Sequence, residues 1–279
     1  MFMLALQTVW DPTSKGIEIG SFTIHYYSMM WMVAFILGWY VIKKIYKNEE
    51  QPEEKLDSLF IYSIVGIMLG ARLGHVIFYQ AELITEDFFS IFLPFKFKGG
   101  IEFTGFQGLA SHGAAIGMII AMYLYNKKVL KKSVIWVLDR VVIPVALGAI
   151  FVRLGNFFNS EIIGKPTDSS LGVIFKQAGP GFDNVARHPS QLYEATCYVF
   201  VFLILWFVYW KTKKREQLGY IFGSFLVLLW TVRFFVEYVK EPQNIERADW
   251  ILNTGQLLSI PLILIGLYFM FGYKPKAIK

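Results

Sequence analysis

Several ionisable side chains interrupt the apolar runs of this 279-residue chain: Arg72, Asp139, Arg140, Arg153, Glu194, Arg233 and Glu237. A charge within a lipid-solvated run is costly, so each reads first as a functional group. Arginine suits phosphate, because its planar fork can bind two oxygens at once. Three of these residues, Arg72, Arg153 and Arg233, together suggest a phosphate ligand. His112 is a candidate proton acceptor, since its ordinary pKa lies near about 6.5. Glu161 and Glu237 are the other candidates, should burial raise their pKa. The residues alone leave that choice open. The densest polar run extends from Arg153 to Gly164 and holds Asn156, Asn159 and Glu161. Its glycines, Gly155 and Gly164, permit close backbone approach or unusual torsions. Arg233 and Glu237 are four apart and share a helix face, as a local ion pair or as a carboxylate holding a guanidinium toward an anion. Asp139 and Arg140 read as a structural pair or as snorkelling groups. Trp31, Trp210 and Trp230 read as interface anchors or packing.

The elements that carry these groups follow from composition. The chain is 55% hydrophobic and only 17% charged, with mean hydropathy +0.47. An average soluble domain is about 25% charged, so this chain belongs in a bilayer. A hydrocarbon core takes roughly 20 apolar residues of helix. Seven runs qualify, at about 23–42, 58–79, 108–126, 134–155, 189–210, 218–239 and 254–272. Backbone groups in lipid must bond internally, which makes these runs helices. The expected fold is all-α: one integral-membrane domain over 1–279 with about seven transmembrane helices. Lysines and arginines crowd 43–57, 127–133, 211–217 and the tail. That bias places the N-terminus outside, the C-terminus in the cytoplasm, and 80–107, 156–188 and 240–253 on the outer face. Two of these outer connections exceed 25 residues, long for plain connectors. With this orientation Tyr26, Tyr27, Arg72, His112, Arg153, His188, Gln191, Glu194, Arg233 and Glu237 gather toward the outer leaflet. Gly179-Pro180-Gly181 reads as a mobile or sharply turned tip.

Other classes fit less well. The net charge of +6 does not point to nucleic acid, because the basic residues sit in short clusters between apolar runs. The single cysteine, Cys197, excludes an intrachain disulfide and a cysteine metal cluster and reads as a small apolar residue. No metal-ligand spacing is present. MFMLALQTVW lacks the basic and long apolar parts of a cleavable signal. A transporter for an anionic solute would also bury arginines, but it predicts polar groups at the midplane and often internal repeats. An intramembrane serine protease is a weaker rival, because no nucleophile-elbow motif surrounds Ser111 or Ser190.

The run from Arg153 to Gly164 resembles the signature of the prolipoprotein diacylglyceryl transferase family, loosely G-R-x-G-N-F-x-N-x-E-x-x-G. Arg153, Gly155, Asn156, Phe157, Asn159, Glu161 and Gly164 match it, and Val152 stands in place of the leading glycine. Ser111-His112-Gly113 resembles the family's HGG-type segment, with Ala114 for the second glycine. Ala71-Arg72-Leu73-Gly74 resembles its helix-two arginine segment. Arg187-His188-Pro189-Ser190-Gln191-Leu192-Tyr193-Glu194 resembles the outer start of its fifth helix, and Arg233 to Glu237 with Glu241-Pro242-Gln243 its sixth-helix segment. Tyr27 occupies the place of a functional tyrosine, whereas a second family tyrosine is Leu229 here. The resemblance runs over nearly the whole chain in the right order.

It implies a bacterial inner-membrane enzyme with its active site toward the outer face. The implied reaction moves the diacylglyceryl group of phosphatidylglycerol onto the lipobox cysteine in a prolipoprotein signal peptide, forming a thioether and releasing glycerol phosphate. No cofactor or metal is implied. The catalytic set so implied is His112, Arg153, Glu161, Arg233 and Glu237. The substrate-binding set is Tyr27, Arg72, Asn156, Asn159, Gly164, His188 and Gln191.

Overall fold

The computed structural model describes residues 8–12, 16–20, 22–93, 95–103, 108, 110–182, 184–241 and 252–274. Its helices are α1 Tyr26–Asn48, α2 Glu53–Tyr79, α3 Leu83–Glu86, α4 Ser111–Tyr125, α5 Val134–Phe158, α6 Ser190–Lys211, α7 Tyr220–Val236 and α8 Thr254–Leu267. Among the described residues five stretches are long and apolar enough to cross a membrane: α1, α2, α5, α6 and Thr254–Gly272, in which a π-helical turn prolongs α8. The α7 helix is apolar but shorter. The fifteen residues of α4 continue into a π-helical turn over Asn126–Leu130. Each expected apolar run therefore holds a helix, with shifted ends. The first helix starts at Tyr26 rather than 23 and continues to Asn48, past three lysines whose long stems extend from a helix without breaking it.

The all-α expectation changes to a mostly helical fold with three small sheets. Strands β1 Thr8–Trp10, β2 Gly16–Ile19, β3 Phe22–His25, β4 Phe95–Lys96, β5 Glu102–Phe103, β6 Val173–Phe175 and β7 Ala186–Arg187 lie in the connections. Long connections carry backbone donors and acceptors that must find partners, and short ladders supply them. β1 pairs parallel with β6, Thr8 opposite Val173, and β6 pairs antiparallel with β7. β2–β3 and β4–β5 are antiparallel hairpins.

The chain divides into two compact units, 43–137 and 1–42 with 138–279. In the first, α2 and α4 meet through small residues: Gly66, Gly70 and Gly74 face Gly113, Gly117 and Ala121. An added Cβ on Gly70 would lie 2.8 Å from Gly117 Cα, so the backbones approach to a distance no larger side chain permits. At one end of this pair the Tyr125 hydroxyl meets the Tyr46 hydroxyl at 2.9 Å and the Lys55 carbonyl at 3.0 Å. At the other, Arg72 Nε donates to Ile91 O at 3.1 Å and Nη2 to Ser90 O at 2.9 Å. Asp87 Oδ2 accepts from the backbone amides of Phe97 at 2.8 Å and Lys98 at 3.2 Å, tying the β4–β5 hairpin to the segment after α3.

In the second unit Gly223 of α7 and Gly266 of α8 make a like approach. Asp139 and Arg140 pair at 3.8 Å and are buried, so they do not snorkel. Asp139 caps α7, accepting from the amides of Gly219 at 2.7 Å and Phe222 at 2.8 Å. A buried acceptor there satisfies donors that a helix start leaves open. Ile163, Val173 and Phe175 form an apolar cluster with Trp10, Phe157 and Phe182 around the β1–β6–β7 sheet.

Candidate active site

The site-bearing turn begins where α5 ends. Ser160 and Ile162 have positive φ, 54° and 59°. That region is uncommon for a non-glycine residue and a real outlier for a β-branched one. Such a turn persists only when its surroundings over-determine it. Here the first turn of α6 does so. Ser190 Oγ donates to Ile162 O at 2.7 Å, and Gln191 Nε2 donates to Glu161 O at 2.6 Å. Both side chains are fully buried.

Inside this turn the polar side chains form a chain of contacts. Arg153 Nη1 donates to Asn156 Oδ1 at 3.2 Å. Asn156 Nδ2 donates to Glu161 Oε1 at 2.8 Å, and Asn159 Nδ2 donates to the same oxygen at 3.3 Å. Glu161 thus reaches Arg153 through Asn156. The direct carboxylate partner of Arg153 is Glu194 of α6, with Nε 2.5 Å from Oε2. Glu194 is fully buried. Gly155 lets the Tyr27 ring lie against the α5 backbone, since an added Cβ would fall 2.7 Å from Tyr27 Cδ2.

The third wall is the end of α7. Gly164 pairs with Lys240 in an isolated antiparallel bridge, with Lys165 N donating to Val239 O at 2.8 Å and Glu241 N to Ile163 O at 3.2 Å. Gly164 N also donates to His188 O at 2.9 Å. A Cβ at Gly164 would lie 2.6 Å from both His188 O and Val239 O, so only glycine fits between these backbones. Lys240 is 4% exposed. Its Nζ lies 3.4 Å from Glu194 Oε1 and 3.5 Å from Glu237 Oε2. Burial pushes the Lys240 ammonium below the usual lysine range, against the opposing pull of Glu194 and then Glu237.

The expected local pair of Arg233 with Glu237 is not formed among the described residues. Glu237 lies just past α7 as its C-cap and turns to Lys240 instead, with its carboxylate packed on Gly255 in the first turn of α8. The Arg233 guanidinium lies 5.4 Å from the Trp230 ring. Arg233 Nε and Gln191 Oε1 are buried polar atoms without a hydrogen-bond partner among the described residues. Buried polar groups are nearly always satisfied, so these two atoms are left for a polar partner outside the chain.

The structure therefore brings Tyr27, Arg153, Asn156, Asn159, Glu161, Gly164, His188, Gln191 and Glu237 into one unit, together with Arg233. His188 Nδ1 lies 3.2 Å from the Tyr193 hydroxyl. Arg72 and His112 belong to the other unit. Arg72 holds the carbonyls of the outer connection, as described, and His112 is exposed in the first turn of α4. Pro242 and Gln243 lie outside the described residues. Sequence reasoning passed over Lys240, because a lysine past a span end reads as a headgroup anchor. Its signal was a position three residues after Glu237, within reach of the same carboxylate. Glu194 was noted as a buried charge but not as the partner of Arg153. Among the described residues no group of histidine, cysteine and carboxylates could hold a metal ion.

A family model for prolipoprotein diacylglyceryl transferase matches residues 15–272. The protein named phosphatidylglycerol--prolipoprotein diacylglyceryl transferase from Bacteroides fragilis is 40% identical over 279 residues, 99% of each chain. The proteins of the same name from Tolumonas auensis and Porphyromonas gingivalis are 38% and 37% identical, covering 94% of this chain and 95% and 93% of their own.

Proposed function

The chain belongs to the prolipoprotein diacylglyceryl transferase family, and from that premise we propose that it transfers the diacylglyceryl group of phosphatidylglycerol to the cysteine of a prolipoprotein. The observation that carries this reading is the likeness to enzymes of that name over 94–99% of the chain. Arg233 supports it, because its Nε is a buried donor without a partner among the described residues and is suited to an anionic headgroup.

The thiol of the substrate's lipobox cysteine loses its proton, and the thiolate attacks the glyceryl carbon that bears the phosphate. The C–S bond forms as the C–O bond breaks, and glycerol phosphate leaves with the electron pair. Arg153 and Arg233 bind the phosphate and stabilise its growing charge. Asn156 and Asn159 hold Glu161, and with Tyr27 they set the orientation of Arg153 and the lipid. Gly164, His188 and Gln191 fix the turn that faces the substrate, and Arg72 contributes through the outer connection it holds. The family resemblance gives His112 as a candidate proton acceptor, with Glu161 and Glu237 as the others. Glu161 accepts from the Asn156 and Asn159 amides, and Glu237 faces the Lys240 ammonium. With His112 as the acceptor, His112→Gln is expected to lower turnover strongly while leaving lipid binding in place, and single-turnover transfer measured beside lipid binding checks it.

In the membrane the chain makes seven passes, α4 and α7 completing the five long spans, with the N-terminus outside and the C-terminus in the cytoplasm. The membrane is the bacterial inner membrane and the site opens outward. The signal peptide presents its lipobox to the 80–107 and 156–188 connections. The test is release of glycerol phosphate by purified protein given phosphatidylglycerol and a lipobox peptide. Release that requires the peptide cysteine, with matching lipidation, supports the reading, and folded protein that releases none overturns it.

A further inference from the structure

We propose that Lys240 is a positioning residue: its ammonium clamps Glu194 and Glu237 and so leaves Arg153 and Arg233 freer for the phosphate of an anionic lipid headgroup. This inference rests on the transferase reading for the identity of the lipid. Four charged groups act on Lys240: Glu194 from α6, Glu237 past the end of α7, Arg153 from α5 and Arg233 from α7. With Lys240 protonated, three cations meet Glu194 and Glu237, while Glu161 is held by the Asn156 and Asn159 amides. Without it, Glu194 and Glu237 would neutralise Arg153 and Arg233, and an incoming phosphate would compete with carboxylates for both guanidinium groups. Buried and shielded from solvent, such a competition is severe, since charges interact more strongly there than in water.

The location of the ammonium is set by the backbone. Lys240 sits in the bridge to Gly164, and the amides of Lys165 and Glu241 fix the strands on either side of it. Its side chain reaches the 0%-exposed Glu194 from a position that is itself 4% exposed. A side chain held this way is not a surface anchor. Glu237 is fixed from the opposite side by Gly255. The two carboxylates that Lys240 joins come from different parts of the chain, so the clamp also ties the first turn of α6 to the residues after α7.

The experiment compares wild type, Lys240→Met and Lys240→Arg for binding of a short-chain phosphatidylglycerol and, alongside, for glycerol phosphate release with a lipobox peptide. Lys240→Met is expected to weaken phosphatidylglycerol binding about tenfold, the scale of one charge-assisted contact, and Lys240→Arg to restore it. A second readout separates charge from mere packing. Because Lys240 is held below the usual lysine range, raising the pH removes its proton earlier than it would from a surface lysine. Wild-type affinity then falls at a pH below that at which an ordinary lysine loses its proton, whereas the Lys240→Arg variant, whose guanidinium stays protonated, holds its affinity. Wild-type affinity in Lys240→Met, or the same pH dependence in wild type and Lys240→Arg, overturns the proposal. The pH comparison stands even if Lys240→Met does not fold. Lipid binding that depends on Lys240 in a protein that releases no glycerol phosphate would support the clamp and overturn the transferase reading.

Discussion

Arg153 joins two elements, with Glu194 at its Nε and Asn156 at its Nη1. Removal of the guanidinium is expected to lower glycerol phosphate release by at least about 100-fold, the usual consequence of losing a charge-stabilising donor. The Arg153→Ala protein should still unfold cooperatively, which thermal unfolding in detergent measures. Arg233→Ala is expected to behave alike, since its Nε has no partner among the described residues to strand. Gly255 offers a subtler test. A methyl group there would lie 2.6 Å from Glu237 Oε1 and must displace the carboxylate. Gly255→Ala, nearly neutral for an average helix, is therefore expected to reduce lipid affinity several-fold, on the scale of a single disturbed ion pair. Binding at wild-type strength would show that the Glu237 position is immaterial.

Helices were readable in the seven apolar runs because sustained hydropathy marks them, and among the described residues five are long and apolar enough to cross a membrane. Their ends were not, since Lys43, Lys44 and Lys47 continue α1 where charge suggested a stop. The sheets were hidden for a different reason. Thr8–Trp10 finds its partner at Val173–Phe175, more than 160 residues away, and no local pattern announces so distant a pairing. In the site, the residues of the Arg153–Gly164 run were visible as types, but their wiring was not. Glu161 shares that run, but the carboxylate partner of Arg153, Glu194, is contributed by the next helix. Lys240 was invisible as a site residue because its burial depends on a bridge to Gly164. The 80–103 arm makes a prediction of its own. The Phe97 amide, helped by that of Lys98, holds the Asp87 carboxyl below the usual carboxylate range. Asp87 therefore stabilises the arm at pH above its unfolded pKa of about 4, and that contribution is lost as pH falls through the lower folded value. Asp87→Asn is expected to raise amide exchange at Phe97 and Lys98 at neutral pH, and the wild type should approach the variant in acid.

For the molecule as a whole, the excess of lysine and arginine in alternate connections predicts which ends face the cytoplasm. A protease-sensitive tag after Lys279 should be cut only in inside-out vesicles, and one before Met1 only in right-side-out ones. A reversed pattern would put the Arg153 cluster on the side away from secreted substrates. Both units also use glycine where helices meet, Gly70 against Gly117 in one and Gly223 against Gly266 in the other. In lipid no hydrophobic force drives helices together, and association depends on close packing. Larger residues at these positions are expected to lower yield of folded protein rather than the turnover of what folds.

The bridge between Gly164 and Lys240 has a consequence for how the protein is made. The signature turn leaves the ribosome about 75 residues before the lysine that completes its surroundings, a delay set by the numbering alone. Until then Glu194 has Arg153 as its charged partner and Glu237 does not yet exist. A nascent chain that stalls in the seventh helix thus carries the family's most specific residues in a turn with one edge open, inserted but idle. Biogenesis of the active centre is a late event, and a membrane quality-control protease would meet this half-built turn before it meets an enzyme.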